Sequence, residues 1–264
     1  MKANHNPIGF FDSGIGGTSI WKEVTTLLPN ENTIYLSDSK NAPYGNKSKN
    51  TIVDLAVKNT ELLLKKNCKL IVVACNTATT NAIDYLRANY PVPFIGIEPA
   101  IKPAALKTKT KRIGILATKG TLNSSLFEKT SRTIDQQIIV KETIGTGLVE
   151  LIENGKIDSI EMEVLLSSYI KPLLNENIDC LVLGCTHYPY LIPAIQKITD
   201  DNLQIIDSGQ AVAKQTKAIL KKHYLLNESS NNGEHEFYIN KNKSVLERIL
   251  TSSDSKKIIT ELDF

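Results

Sequence analysis

Short apolar runs alternate along almost the whole chain with longer stretches in which apolar residues recur at helical spacing. The runs predict strands at 8–12 (IGFFD), 33–37 (TIYLS), 69–74 (KLIVVA), 94–97 (FIGI), 111–116 (KRIGIL), 179–183 (DCLVL) and 203–206 (LQII). The stretches between them predict helices over 17–28, 48–66, 78–89, 99–107, 121–132, 145–154, 158–176, 190–198 and 209–223. In the second of these, Ser48 stands at the N-cap and apolar residues at 52, 55, 56, 62 and 63 mark one buried face. Such alternation predicts an α/β fold of parallel sheets flanked by helices. Ligands bind such sheets beyond the carboxyl ends of the strands, so the residues that follow each strand are where chemistry is to be sought.

The chain also repeats itself. IGFFDSGIGGTSI (8–20) and IGILATKGTLNSSLF (113–127) share Ile-Gly, two further residues, a polar turn with glycine, and a threonine that opens a helix; the offset is 105 residues. IVVACNTATTNAI (71–83) and LVLGCTHYPYLIPAI (181–195) share an apolar strand, a small residue, a cysteine, polar residues and a helix ending in Ala-Ile, at an offset of 110. Two units in the same order at nearly one offset imply two pseudo-symmetric α/β lobes with the active site in the cleft between them. The first lobe is assigned to 1–97 plus 208–264 and the second to 98–207. Residues 228–235 (ESSNNGEH) read as a surface loop, because so polar a stretch has no apolar area to bury. A short strand at 236–239 (EFYI) and a last helix from about 243 return to the first lobe, which makes that lobe discontinuous.

Composition narrows the function classes. An apolar fraction of 41% with 22% charged residues over 264 positions suits a soluble globular protein. The net charge is +3 and the lysines are scattered, whereas a nucleic-acid binder concentrates its basic residues on one stripe. The expected partner is therefore a small molecule and not nucleic acid. No run reaches the ~18 apolar residues of a membrane span, and MKANHNP lacks the apolar core of a signal peptide. The expected location is the cytoplasm.

Four cysteines, Cys68, Cys75, Cys180 and Cys185, are expected as free thiols in a reducing compartment. Spacings of C-x6-C and C-x4-C do not match the short knuckles of a structural zinc site, so no metal is assigned. Cys75 and Cys185 are equivalent in the repeat, and each follows a strand and precedes a helix. A thiol hydrolase needs one nucleophilic cysteine and a base. Two thiols on opposite walls of one cleft suit another chemistry, in which one takes a proton from one face of a carbon and the other returns a proton to the opposite face. An ordinary thiol, with a pKa of about 8.5, is only a few per cent ionised near neutrality. The positive end of the helix that follows each cysteine favours its thiolate.

FDSGIGG (11–17), APYG (42–45), ACNTAT (74–79), LGCTHYP (183–189) and IDSG (206–209) together resemble the glutamate racemases of the cofactor-independent Asp/Glu racemase superfamily. The resemblance runs from about residue 7 to the final helix. It implies interconversion of L- and D-glutamate for peptidoglycan synthesis, without pyridoxal phosphate or metal. It assigns the acid/base roles to Cys75 and Cys185, with Asp12, His187 and Glu153 as helpers. It implies that Asp12, Ser13, Tyr44, Gly45, Asn76, Thr77, Thr186 and His187 bind substrate, and the repeat adds Thr121. Hydroxyls, an amide and backbone N–H groups of this kind can hold two carboxylates in a nearly neutral pocket, and fixed donors suit a carbanion-like state. The resemblance also implies a homodimer. One departure stands out: the family has a Thr-Gly pair after the late Phe-Tyr, where this chain reads FYINKNKS (237–244).

Several of these residues also have plain structural readings. Cys68 and Cys180 adjoin apolar runs and are read as small buried hydrophobes. DSGIGG has Ser19 where a dinucleotide loop has its third glycine, and no Gly-Lys-Ser/Thr follows, so it is no phosphate cradle. Asp207 and Ser208 are expected to cap the helix they precede. His5, His223 and His235 are read as incidental. Taken alone, Cys75 would be a core residue, His187 a loop histidine, APYG a turn and Glu153 a solvated helix glutamate. The rival functions are an aspartate racemase or another two-cysteine isomerase, a thiol hydrolase, and a non-catalytic binding or metal-holding protein.

Overall fold

The computed structural model describes residues 5–199, 203–251 and 257–264. Ten strands lie among them: β1 (Ile8–Asp12), β2 (Thr33–Ser37), β3 (Leu70–Val73), β4 (Phe94–Ile95), β5 (Arg112–Ala117), β6 (Ile139–Ile144), β7 (Cys180–Gly184), β8 (Gln204–Ile206), β9 (His235–Ile239) and β10 (Lys257–Glu261). They form a six-stranded sheet in the order β10-β9-β2-β1-β3-β4 and a four-stranded sheet in the order β6-β5-β7-β8. Every pairing is parallel.

The apolar runs form strands because both faces of each sheet are covered. In β3, Leu70 and Val72 enter one apolar cluster while Ile71 and Val73 enter another. In β7, Leu181 and Leu183 join the first cluster, and Cys180 and Val182 join a third. The first cluster thus takes alternate residues from both sheets and forms a core shared between them. Cys68 and Cys180 are both buried. Burial first of all pushes the Cys68 thiol up to about 12 and the Cys180 thiol up to about 11, so neither is a ready thiolate.

The order β2-β1-β3-β4 in one sheet recurs as β6-β5-β7-β8 in the other. Two strands in this topology are absent from the periodicity reading, β6 and β10. Both are edge strands with much of their surface exposed, and IVKETI and KIITE mix charge with apolar residues. Half-covered edges carry no continuous apolar run, so pairing with β5 and β9 defines them. The helix expected over 121–132 is two helices, Lys119–Leu122 and Ser125–Ser131. Asn123 ends the first and Ser124 caps the second, its hydroxyl accepting from the Phe127 N–H at 3.2 Å.

The late segment joins the first sheet through its second strand. β9 lies beside β2, with Thr33 opposite His235 and Ser37 opposite Ile239. His235 is not incidental: it is buried, its Nδ1 lies 2.9 Å from Thr33 Oγ1, and its ring meets the Trp21 ring edge-on. The stretch leading to β9 is anchored by Glu31, which forms a buried 2.6 Å ion pair with Lys69 and accepts from the Asn227 N–H at 2.7 Å. Asp207 caps the helix Gly209–Lys222 by accepting from the Gly209 N–H, whereas the Ser208 hydroxyl donates to the Glu98 carbonyl.

Candidate active site

The carboxyl ends of β1, β3, β5 and β7, with the turn that follows β2, surround a narrow, partly open cavity. β1 delivers Ser13, β3 Cys75, Asn76 and Thr77, β5 Thr118, and β7 Cys185, Thr186 and His187; Pro43, Tyr44, Gly45 and Val149 complete the lining. The six-stranded sheet therefore supplies one cysteine and the four-stranded sheet the other. A wider cleft lies between the helices Lys49–Lys65, Asn76–Asn89 and Ser125–Ser131, and no cysteine lines it.

The DSGIGG turn is tight because the other lobe packs on it. A side chain at Gly14 would collide with the Glu153 carboxylate, and one at Gly16 with the His187 ring. With no side chains there, the Ile15 N–H reaches Glu153 Oε1 at 2.7 Å. Asp12, at the end of β1, is buried behind Ser13; its Oδ2 accepts from the Gly17 N–H at 2.8 Å. Thr186 reaches the same carboxylate with its hydroxyl at 3.5 Å.

The two cysteines have opposite electrostatic neighbours. Cys75 caps the helix Asn76–Asn89, its sulfur accepting from the Ala78 N–H at 3.4 Å and donating to the Ser13 hydroxyl at 3.7 Å. Burial, and then the Asp12 carboxylate, nonetheless push its thiol well above the usual range, so the helix N-terminus does not prevail. Burial also raises Asp12, against the pull of His187.

On the other wall, Cys185 Sγ lies 3.8 Å from His187 Nδ1, and His187 Nε2 lies 2.6 Å from Glu153 Oε1. Burial alone would lower His187, but Cys185 and Glu153 outweigh it and raise the imidazole well above its ordinary value. The ring bridges sulfur and carboxylate, and the Gly16 N–H also points at its Nε2, 3.3 Å away. Glu153 is held in turn by the Ser39 hydroxyl at 2.7 Å.

Uncharged hydroxyls and an amide supply much of the remaining lining. The Thr77 and Thr118 hydroxyls lie 2.8 Å apart, and Thr121 stands behind them, 3.0 Å from Thr118. The amide nitrogen of Asn76 is buried and has no hydrogen-bond partner among the described residues. A buried donor left unmade costs about 1–3 kcal/mol, so a ligand acceptor is its natural complement. The Tyr44 hydroxyl, by contrast, is committed: it donates to Asp38 Oδ2 at 2.5 Å and accepts from Asn59 at 3.2 Å.

Nine of the twelve site residues expected from sequence line the cavity: Ser13, Tyr44, Gly45, Cys75, Asn76, Thr77, Cys185, Thr186 and His187. Asp12, Glu153 and Thr121 sit one layer behind it. Thr118, Pro43 and Val149 are lining residues the sequence reading did not select. Thr118 was legible: the repeat sets it opposite Ser13 when Ile113-Gly114 is laid on Ile8-Gly9. Among the described residues no group of three or more His, Cys, Asp or Glu side chains is placed to hold a metal ion, and no helix is long and apolar enough to cross a membrane.

Comparison with known proteins gives one answer. Residues 18–216 match the family model described as Asp/Glu/Hydantoin racemase. A glutamate racemase from Herpetosiphon aurantiacus is 43% identical over 231 residues, covering 88% of this chain and 91% of the relative. The crystal structure of a glutamate racemase isoform from Bacillus anthracis superposes with a TM-score of 0.86 at 31% identity, covering 98% of each chain. That of the glutamate racemase from Francisella tularensis in complex with D-glutamate does so with a TM-score of 0.82 at 32% identity, again covering 98% of each.

Proposed function

We propose that the reaction is the interconversion of L- and D-glutamate: the chain belongs to the Asp/Glu/Hydantoin racemase family and is an amino-acid racemase. The observation that carries the mechanism is the pair of buried thiols, one from each sheet, facing a single small cavity. The charges behind them differ. The charged form of His187 is favoured beside Cys185, while the Asp12 carboxylate beside Cys75 favours the thiol.

In this reading the Cys185 thiolate removes the α-proton of one enantiomer and becomes a thiol. The electron pair left at the α-carbon is stabilised through the carboxylate by fixed donors, among them the unpaired Asn76 amide. Cys75 delivers its proton to the opposite face, which inverts the centre and leaves a thiolate on Cys75. The enzyme is then charged for the reverse reaction. The resting state returns once product has left and Cys75 takes up a proton from solvent while Cys185 gives one up to it; Asp12, itself raised by burial, stands beside Cys75 to relay the first. Thr77, Thr118 and Thr186, which line the cavity, supply hydroxyls to the substrate carboxylates. No cofactor enters the scheme.

The resemblance and the relatives support glutamate over aspartate as substrate; a homodimer that supplies D-glutamate to peptidoglycan follows from the resemblance alone, and a cytoplasmic location from the sequence. Incubation of metal-stripped enzyme with D-glutamate in D2O tests the chemistry. L-Glutamate carrying deuterium at the α-carbon is the expected product. Conversion of aspartate alone would move the substrate, and no exchange with either would overturn the racemase reading.

A further inference from the structure

The segment FYINKNKS, set apart by its sequence, touches both walls of the site. In the parallel pairing of β2 with β9 the last partners are Ser37 and Ile239, so the next residues, Asp38 and Asn240, leave the sheet side by side. Asn240 Nδ2 donates to Asp38 Oδ1 at 2.6 Å, and Asn240 Oδ1 accepts from the Lys40 N–H at 2.8 Å. Asp38 is buried at 1% exposure, and a buried carboxylate needs donors to offset its lost hydration. It receives three: the amides of Asn240 and Asn41 on Oδ1 and the Tyr44 hydroxyl on Oδ2. Asp38 is thus the post to which Tyr44 is tied, and Tyr44 and Gly45 line the cavity.

Two residues further on, Asn242 sits at φ 62°, the left-handed conformation that asparagine tolerates better than most residues, and opens the helix Lys243–Leu250. This turn aims its side chain at the opposite wall. Asn242 Nδ2 donates to the Glu153 carbonyl at 3.0 Å, at the last residue of the helix Leu148–Glu153. The side chain of that same residue pairs with His187.

We propose that Asn240 and Asn242 are positioning residues of the racemase site. Asn240 acts through Asp38 on the Pro43–Gly45 substrate loop, and Asn242 acts through Glu153 on the His187–Cys185 pair. The proposal rests on the racemase reading above and adds to it an element that contains none of the reacting groups. Both bonds cross from the C-terminal turn to segments about 90 to 200 residues away in sequence, so one short turn registers the substrate loop against the acid/base wall.

The two arms make separable demands, because one serves binding and the other chemistry. Steady-state kinetics of the full chain, well below each variant's melting midpoint, reads them. Asn240→Ala is expected to raise KM for glutamate about tenfold with kcat within about threefold, the scale of one lost hydrogen bond to a charged group. Asn240→Thr, whose hydroxyl can still donate to Asp38, should restore most of that loss. Asn242→Asp keeps the left-handed turn but has no donor for the Glu153 carbonyl. It is expected to lower kcat about tenfold with KM nearly unchanged. Nuclear magnetic resonance of the His187 ring in the same variant should show its pKa falling, a change that mere loss of folded protein does not produce. Wild-type protein that fails to racemise glutamate overturns the reading beneath this proposal and the proposal with it. Wild-type racemisation that both Asn240→Ala and Asn242→Asp leave unchanged overturns this proposal alone, as does a fall in kcat that is equal in the two variants with no change in KM or in the His187 titration.

Discussion

His187 Nε2 stands 2.6 Å from Glu153 Oε1, joining the end of β7 to a helix that finishes 34 residues earlier in the chain. The pair is buried on both sides, with 1% of the histidine side chain and 7% of the glutamate side chain exposed. In such surroundings a neutral imidazole is the default, since burial penalises its charged form. Cys185 and Glu153 together reverse that outcome and favour a cation between them.

The first consequence concerns that cation. Glu153→Gln keeps the shape of the side chain and removes its charge. The His187 pKa is then expected to fall, because one of the two groups that outweigh burial has lost its charge. Racemisation should drop by about ten- to a hundredfold, as for loss of a charge-assisted hydrogen bond. Titration of the ring proton signals measures the first effect and a coupled D-glutamate assay the second. A His187 signal that titrates identically in both proteins would remove Glu153 from the mechanism.

Replacing either thiol separates two-base inversion from one-thiol chemistry. Cys75→Ala and Cys185→Ala should each abolish racemisation in both directions, by at least about a thousandfold if each supplies general acid/base catalysis. A serine at either position retains the shape without an adequate acid. Near-normal turnover by either alanine variant, read by chiral chromatography, would rule out the two-cysteine scheme. A stable acyl adduct on one cysteine would instead favour a hydrolase.

A third expectation concerns stability. Burial, followed by the charge of Lys257, holds His235 at about 4, against an ordinary value of 6.5. Between those values the unfolded chain binds a proton that the native protein refuses, so native stability rises with pH across that window. The contribution is complete above about pH 6.5 and is lost as pH falls towards 4, amounting to about 3 kcal/mol at most. Urea unfolding at pH 7.5 and pH 4.5 should show this loss in the wild type and much less of it in His235→Gln. Equal losses in the two proteins would place the acid sensitivity elsewhere.

Much of the architecture is a local property of the sequence. Runs such as LIVV and CLVLG are apolar throughout because both their faces are covered, so they announce themselves as central strands without any knowledge of their neighbours. The internal repeat sets Cys75 and Cys185 at matching strand ends, and the strand orders of the two sheets follow the same pattern. Most cavity-lining residues were legible for the same reason: they stand directly after strands.

Tertiary structure decided what depends on pairing between distant segments. The edge strands β6 and β10 exist through their register with β5 and β9, since half-exposed sequences carry no clear period. Whether Tyr44 offers its hydroxyl to a ligand could not be read from APYG; the answer lies in Asp38 and Asn59, which hold it. Likewise LIENG reads as a helix end with a solvated glutamate, until the packing of one lobe on the DSGIGG turn of the other buries Glu153 against His187. A sequence encodes its burial pattern residue by residue, whereas the charge state of a buried group is set by whatever the fold brings within a few ångströms of it.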